Sequence, residues 1–309
     1  MNPIASILSR FPTMILDGAF ATELEKRGCN LNDPLWSAKV LLENPELIAA
    51  VHEDYLVAGA DCVITASYQA TFEGFAARGL SEAEAAALMT RSITIARQVR
   101  DRFWMQHSAG SNRPRPLVAA SVGPYGAFLA DGSEYRGNYS LSEEQLMDFH
   151  RRRLQTLVAA EPDLLACETL PCFSEARALV RLLAENPGIS AWISFTAKDG
   201  QQTCNGDKIS DCAAWLNDFD QVAAIGINCT APRHVTTLIK EISSVTDKPI
   251  IVYPNSGEHY DPLSKRWRPG DNGDFAALTK QWLADGARIV GGCCRTSPQD
   301  IRAICQLVR

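Results

Sequence analysis

The stretch QVAAIGINCTAPRHVTTLIKEISSVTDKPIIVYPN, residues 221–255, decides the fold. It opens on an apolar run, Val222–Cys229, and closes on a second one, Pro249–Asn255, with an amphipathic segment between. A run apolar nearly throughout reads as a strand covered on both faces, as strands of parallel sheets are. Working outward, the same kind of run recurs at Thr13–Ala19, Asp61–Ser67, Pro116–Gly123, Asp163–Thr169, Ser190–Thr196 and Ala287–Cys293. Eight strand-then-helix units in about 300 residues predict a (β/α)8 barrel of the TIM type, since a doubly wound sheet usually has fewer strands. No composition shift divides the chain, so one barrel domain is expected over residues 1–309.

Local signals place the helices. Asn44-Pro45 reads as an N-cap followed by proline at the first helical position, and Gly59 as the stop of that helix. Ser81 with Glu84 and Ser142 with Gln145 read as capping boxes, and Ser297-Pro298 opens the last helix. Three loops exceed the usual length: Gly18–Asn44, Pro124–Leu141 and Pro254–Gly273. All three follow strands and so rise from the C-terminal face of a barrel, where active sites lie. The His107–Pro116 segment falls on the opposite face and reads as an exposed connector.

Composition narrows the function classes. The chain has 309 residues, 46% hydrophobic and 21% charged, with 30 basic against 36 acidic residues and a formal charge of −6. A mildly acidic chain without a basic block argues against nucleic acid or an anionic membrane surface as partner. It carries no run of 18 apolar residues and no three-part secretory leader. The expectation is a cytoplasmic protein that keeps its ten cysteines reduced.

Sorting those cysteines by strand position singles out three. Cys229 ends the sixth strand, and Cys293 and Cys294 end the eighth, two strands separated around a barrel only by the seventh. Three thiolates at one mouth form a soft, three-ligand site that suits Zn²⁺ with its fourth position open. Gly291-Gly292 would permit an unusual backbone beneath the vicinal pair. Buried packing and a redox disulfide are the alternative readings, the second disfavoured by the strain of bridging adjacent cysteines. The other strand ends offer Asp17, Gly18, Ala19, Tyr68, Gln69, Ser121, Glu168, Asn228 and Asn255.

The pairs Asn228-Cys229 and Cys293-Cys294, within GINC (226–229) and GGCC (291–294), resemble the zinc signature of the homocysteine S-methyltransferases. LDGA (16–19) and CET (167–169) are similar to that family's other motifs. SVGPYG (121–126) and YPNSGEHY (253–260) resemble the branch that uses S-methylmethionine or S-adenosylmethionine as methyl donor. The resemblance implies one Zn²⁺ per chain on Cys229, Cys293 and Cys294, and transfer of methyl from a sulfonium donor to the thiolate of L-homocysteine. It implies that Glu168 pairs with the homocysteine ammonium. Asp17 would share that charge, the Gly18 and Ala19 amides would receive the carboxylate, and Asn228 would stand beside them. Tyr68, Gln69, Tyr125, Asn255 and His259 are further substrate or donor contacts, and the aromatic faces of Trp36 and Phe72 belong to the same group. The partners are small molecules, and no residue beyond the activated thiolate is needed as a catalyst. A betaine-dependent enzyme and the homocysteine module of a cobalamin-dependent synthase are the neighbouring readings. The chain given ends four residues after Cys305, which disfavours an appended folate or cobalamin domain. A metal-free barrel with structural or redox cysteines is the alternative from another class.

Overall fold

Eight parallel strands curl into a ring. A computed structural model describes residues 2–31, 36–109, 111–261, 266–268, 270 and 273–309, apart from the side chains of 36–38, 259–261 and 266–268. In chain order the strands are β1 (Met14–Ile15), β2 (Cys62–Ile64), β3 (Leu117–Val122), β4 (Leu164–Leu170), β5 (Ala191–Phe195), β6 (Val222–Asn228) and β7 (Ile250–Tyr253). After them come β8 (His259–Asp261), β9 (Arg266–Arg268) and β10 (Ala287–Val290). The barrel order is β1-β10-β7-β6-β5-β4-β3-β2, every pair parallel, while β8 and β9 form a separate antiparallel hairpin in the loop after β7. All eight expected strands are present.

The seam between β1 and β2 is where the ring closes, and side chains carry much of it. Leu16 pairs with Cys62 as a single bridge, with Asp61 N–H donating to Ile15 O at 2.7 Å. On the N-terminal side, the Asp61 carboxylate accepts from Ile15 N at 2.9 Å. On the mouth side, the Asp17 carboxylate accepts from Ile64 N at 2.8 Å. Two carboxylates replace ladder carbonyls, which is why β1 is shorter than the apolar run Thr13–Ala19 suggests.

Inside the ring, Met14, Leu16, Cys62, Ala119, Leu164, Ala166, Trp192, Ala224, Ile251 and Ile289 are buried in one apolar cluster. Ile4 and Ile7 join it from the short helix Pro3–Leu8, capped by Asn2, which stops the end of the barrel opposite the mouth. A larger cluster lies between the strands' outer faces and the helices. The capping boxes at Ser81 and Ser142 form as expected, and Ser297 forms a third with Asp300. Asn44 sits at its N-cap position but makes no capping bond with its side chain, and Gly59 ends that helix at φ 122°.

Local signals missed the short elements inside the long loops. The segment after β1 holds helices Phe20–Lys26 and Trp36–Glu43, and the loop after β3 holds the helix Tyr125–Leu129 and the 3₁₀ turn Ser133–Tyr135. The connector before β3 is also more than an exposed link: Arg113 donates to Leu56 O at 2.9 Å and Ala60 O at 2.7 Å, and Pro114 and Pro116 are buried. Among the described residues no helix is long and apolar enough to cross a membrane.

Candidate metal and substrate site

Three cysteine sulfurs meet at the C-terminal mouth of the barrel. Cys229 follows β6 directly, and Cys293 and Cys294 follow β10 after Gly291-Gly292. Their Sγ atoms lie within 4.8 Å of one another, with Cys229 Sγ 2.7 Å from Cys293 Sγ and 3.7 Å from Cys294 Sγ. A tetrahedral metal with metal–sulfur bonds of about 2.3 Å places its sulfurs roughly 3.75 Å apart, so the 3.7 Å spacing matches one edge of such a site. Hydrogen bonds among the three thiols pull both ways, raising Cys293 first of all and, from Cys293 on Cys229 and from Cys229 on Cys294, lowering; with burial and the neighbouring charges added, all three pKa values stand well above the ordinary cysteine range. Left to themselves they hold protons; a cation bound among them is what lets all three ionise. The soft, anionic donor set fits a thiophilic metal.

The glycines beneath the vicinal pair act differently from the sequence expectation. Neither has the positive φ that would demand glycine; Gly291 is needed because the exit of β10 passes against the exit of β1, and Gly292 because the turn after β10 folds Thr296 back onto it. A Cβ on Gly291 would stand 2.6 Å from Leu16 Cβ, and one on Gly292 would stand 2.6 Å from Thr296 Cβ. Closeness is used at once: Gly292 N–H donates to Asp17 O at 3.0 Å, and Cys293 N–H to Pro254 O at 2.8 Å.

Beside the sulfurs lie two buried carboxylates. Burial, opposed by hydrogen bonding from Ser121 and Tyr253, raises the Glu168 pKa to about 7. Ser121 Oγ donates to Glu168 Oε1 at 2.5 Å. Asp17 is raised as well, first by burial and further by the charge of Glu168. Among the described residues neither carboxylate has a cationic partner in an ion pair. Two buried carboxyl groups whose charged forms lack an ion-pair partner are stabilised as carboxylates when a cation joins them.

The glycine-alanine step beside Asp17 is only half available. Ala19 N–H is committed to Thr296 Oγ1 at 3.2 Å, while Gly18 N–H has no acceptor among the described residues. Of the two amides expected to receive a carboxylate, the structure leaves Gly18 alone for that task, because Thr296 has taken the other. Tyr55 and Thr296 hold the step tightly: a Cβ on Gly18 would meet Thr296 Oγ1 at 2.8 Å and Tyr55 Oη at 2.9 Å.

Asn228 is fully buried and largely spent on the scaffold. Its Oδ1 accepts from Thr169 N at 2.7 Å and Ser194 Oγ at 2.8 Å, and its Nδ2 donates to Thr169 Oγ1 at 2.7 Å. One amide hydrogen remains. Thr169, the residue it braces, has φ 59°, a left-handed conformation rarely adopted by a β-branched residue. Among the described residues Gln69 Oε1 and Asn255 Oδ1 are buried without a partner, as groups awaiting a ligand would be.

Of the aromatic residues expected over the mouth, Tyr68 lies at the site. Its ring presses on Gly123, where a Cβ would come within 2.7 Å of the ring carbons, and Glu168 and Cys229 both act on its hydroxyl. Tyr125 instead packs in an aromatic group with Phe128, Tyr139 and Phe149 at centroid distances of 5.7, 5.3 and 4.9 Å. Phe72 lies under the Arg152 guanidinium at 4.5 Å, in a groove between two outer helices. The side chains of Trp36 and His259 lie outside the described residues.

Several site residues escaped the sequence reading. Arg153, 1% exposed, donates to Gly123 O at 2.8 Å, Ser67 O at 2.9 Å and Tyr68 O at 2.7 Å, tying the ends of β2 and β3 together. Burial lowers its pKa to about 10. Arg295 binds Glu258 at 2.8 Å, fixing the loop after β7 to the turn that carries Cys294. Glu134 and Tyr135 come from the turn after β3, and Tyr135 is influenced by Cys229, Cys294 and Glu134.

Comparison with known proteins gives a consistent picture. The profile of the family described as homocysteine S-methyltransferase matches residues 14–308. The chain is 58% identical over 310 residues to homocysteine S-methyltransferase YbgG of Bacillus subtilis, covering 100% of this chain and 98% of that one. It is 52% identical over 305 residues to the homocysteine S-methyltransferase of Escherichia coli, with 98% and 97% covered. The metallated crystal form of the E. coli homocysteine methyltransferase MmuM superposes with a TM-score of 0.89 at 50% identity, over 99% of each chain.

Proposed function

From the chain's membership of the homocysteine S-methyltransferase family, to which it belongs along its whole length, we propose that it binds one Zn²⁺ through Cys229, Cys293 and Cys294 and methylates L-homocysteine from a sulfonium donor. The three convergent sulfurs beside two unpaired carboxylates carry this reading. When bound, zinc supplies the Lewis acidity that keeps a thiol ionised at neutral pH.

The chain's own residues do the rest. Glu168, with Asp17 behind it, takes the homocysteine ammonium, and the Gly18 N–H faces its carboxylate. That grip sets where the substrate sulfur sits relative to Cys229, Cys293 and Cys294. Asn228 acts through Thr169 and Ser194, holding the strand ends that present Glu168 and the cysteines. Tyr68, Gln69 and Asn255 line the donor's side of the mouth. In the transfer, the substrate sulfur's electron pair forms the new C–S bond. The donor's C–S bond breaks towards the donor sulfur, and the positive charge of the sulfonium disappears. A free thiol with pKa about 8.5 is roughly one-tenth ionised near pH 7.5, so complete ionisation gains only about tenfold, on the order of 1.4 kcal/mol. Lower thiol pKa also reduces intrinsic nucleophilicity. Alignment of the three reacting atoms can contribute roughly 7–11 kcal/mol. Positioning therefore dominates, and the braces around the mouth are its source.

The reading places the protein in a reducing compartment, the cytoplasm, where its thiols stay available. Two measurements test it together. Metal analysis of the reduced protein should find close to one zinc per chain, lost in Cys229→Ala and Cys294→Ala. A side-by-side assay with S-methylmethionine, S-adenosylmethionine and betaine should show turnover with a sulfonium and none with betaine. An active enzyme without metal, or betaine as the preferred donor, overturns it.

A further inference from the structure

We propose that Glu134 is the anion that receives the positively charged methyl donor, with Tyr68 and Tyr135 forming the aromatic walls around that charge. This rests on the sulfonium-donor reading above and assigns the residue that enforces it.

Glu134 sits on the 3₁₀ turn Ser133–Tyr135, in the loop that rises after β3. The turn is seated without slack: a Cβ on Gly126 would come within 2.6 Å of Ser133 C and 2.8 Å of Glu134 Cα. The carboxylate takes its own backbone N–H, but among the described residues Glu134 Oε2 is buried with no hydrogen-bond partner. The nearest guanidinium, Arg136, points elsewhere, donating to Ser133 Oγ at 3.1 Å and Asp131 O at 3.3 Å and pairing with Asp131 Oδ2 at 3.5 Å. A carboxylate oxygen withdrawn from water and left unpaired is costly unless a ligand completes it. Burial raises the Glu134 pKa, as expected for such a group.

The surroundings identify the ligand. The Tyr68 hydroxyl feels the charges of Glu134, Cys229 and Glu168 and is hydrogen-bonded to Thr169, and the Tyr135 hydroxyl feels those of Cys229, Cys294, Tyr68 and Glu134. Two tyrosines thus have their hydroxyls within electrostatic reach of the thiols and of this carboxylate, and aromatic faces beside a carboxylate attract organic cations. Charge arithmetic agrees. The homocysteine ammonium is met by Glu168 and Asp17, which leaves Glu134 for a second cation. S-Methylmethionine and S-adenosylmethionine each carry a sulfonium and an ammonium against one carboxylate, whereas betaine is neutral overall. Once methyl has moved, the donor's sulfur is a neutral thioether, and the attraction of Glu134 weakens as the product must leave.

The test uses the metal-loaded enzyme and the variants Glu134→Gln and Glu134→Asp, with S-methylmethionine and homocysteine varied separately. Glu134→Gln should raise the KM for S-methylmethionine on the order of tenfold, a change of about 1.4 kcal/mol. The KM for homocysteine and the metal content should stay at wild-type values, and the Tm should not fall. Glu134→Asp, which keeps the charge, should recover part of the loss. A donor KM within twofold of wild type in Glu134→Gln refutes the assignment. So does a parallel rise in both KM values with a fall in Tm, which would mark a structural role. A wild-type enzyme that turns over no sulfonium at all overturns the donor reading itself, and Glu134's role with it.

Discussion

Replacing Glu168 with glutamine should move binding and stability in opposite directions. Glutamine keeps the shape and an oxygen to accept from Ser121, whose Oγ now donates to Glu168 at 2.5 Å. It removes the charge that meets the substrate ammonium. A hydrogen bond to a charged group contributes roughly 1.5–3 kcal/mol, so the KM for homocysteine should rise about 10- to 150-fold. The free enzyme, however, is relieved of a buried anion. Burial lifts the Glu168 pKa from its ordinary 4.5 to about 7, which corresponds to roughly 3 kcal/mol against the ionised folded state. Because the folded-state value is the raised one, this cost is absent below about pH 4.5, grows towards pH 7 and is full above it. Glu168→Gln should therefore melt higher than wild type at pH 8, by a few degrees for 1–3 kcal/mol in a chain of this size, and the gap should close by pH 5. Differential scanning fluorimetry at the two pH values gives the stability arm, and initial rates with homocysteine varied give the binding arm. An unchanged KM refutes the ammonium assignment; a lower Tm at pH 8 refutes the unpaired-carboxylate argument.

Gly18→Ala should raise the homocysteine KM and cost about 1–3 kcal/mol of stability, because the added methyl meets Thr296 and Tyr55 at 2.8–2.9 Å; both read out by kinetics and thermal melting. Arg153→Lys keeps a positive charge but cannot reach Ser67 O, Tyr68 O and Gly123 O together. Each buried carbonyl left unpaired costs about 1–3 kcal/mol, so Tm should fall. The donor KM should also rise as Tyr68 loses its anchor, with zinc still at one per chain by metal analysis.

The barrel was legible because its eight strands are covered on both faces and therefore read as apolar runs, and because four of its helices carry a start signal at Asn44-Pro45, Ser81, Ser142 and Ser297-Pro298. The cysteine triad was legible once strand ends were read as one surface. What escaped has physical reasons. Glu134 and Tyr135 stand on a three-residue turn, too short for any periodicity to mark. Arg151, Arg152 and Arg153 look alike in the chain, yet the first two pair with Glu185 and Glu82 at the surface while the third is buried. A signal existed: Leu146, His150, Arg153, Leu154 and Leu157 form one helical stripe, and an arginine on an apolar stripe needs carbonyl or carboxylate partners inside. The commitment of Ala19 N–H to Thr296 links residues 277 positions apart and has no local signature.

Backbone strain at the mouth goes with the convergence of the three sulfurs. Thr169, Cys229 and Arg295 have φ of 59°, 47° and 69°, and all three lie where β4, β6 and β10 give way to loops. Such conformations cost on the order of 1–3 kcal/mol each and persist only where neighbours over-determine them. Each is held. Asn228 binds both Thr169 N and Thr169 Oγ1, Thr196 Oγ1 donates to Cys229 O at 3.1 Å, and Glu258 binds the Arg295 guanidinium. Turning left-handed at Cys229, immediately beyond the last strand residue, brings its Sγ to within 2.7 and 3.7 Å of the other two sulfurs. A relaxed, extended residue there would continue along the strand direction and carry the thiol away from them. The strained turns are thus held by hydrogen bonds from neighbouring strands and loops. That preorganisation fits a site whose main contribution is alignment, since ligands fixed by strand ends fix the substrate sulfur in turn.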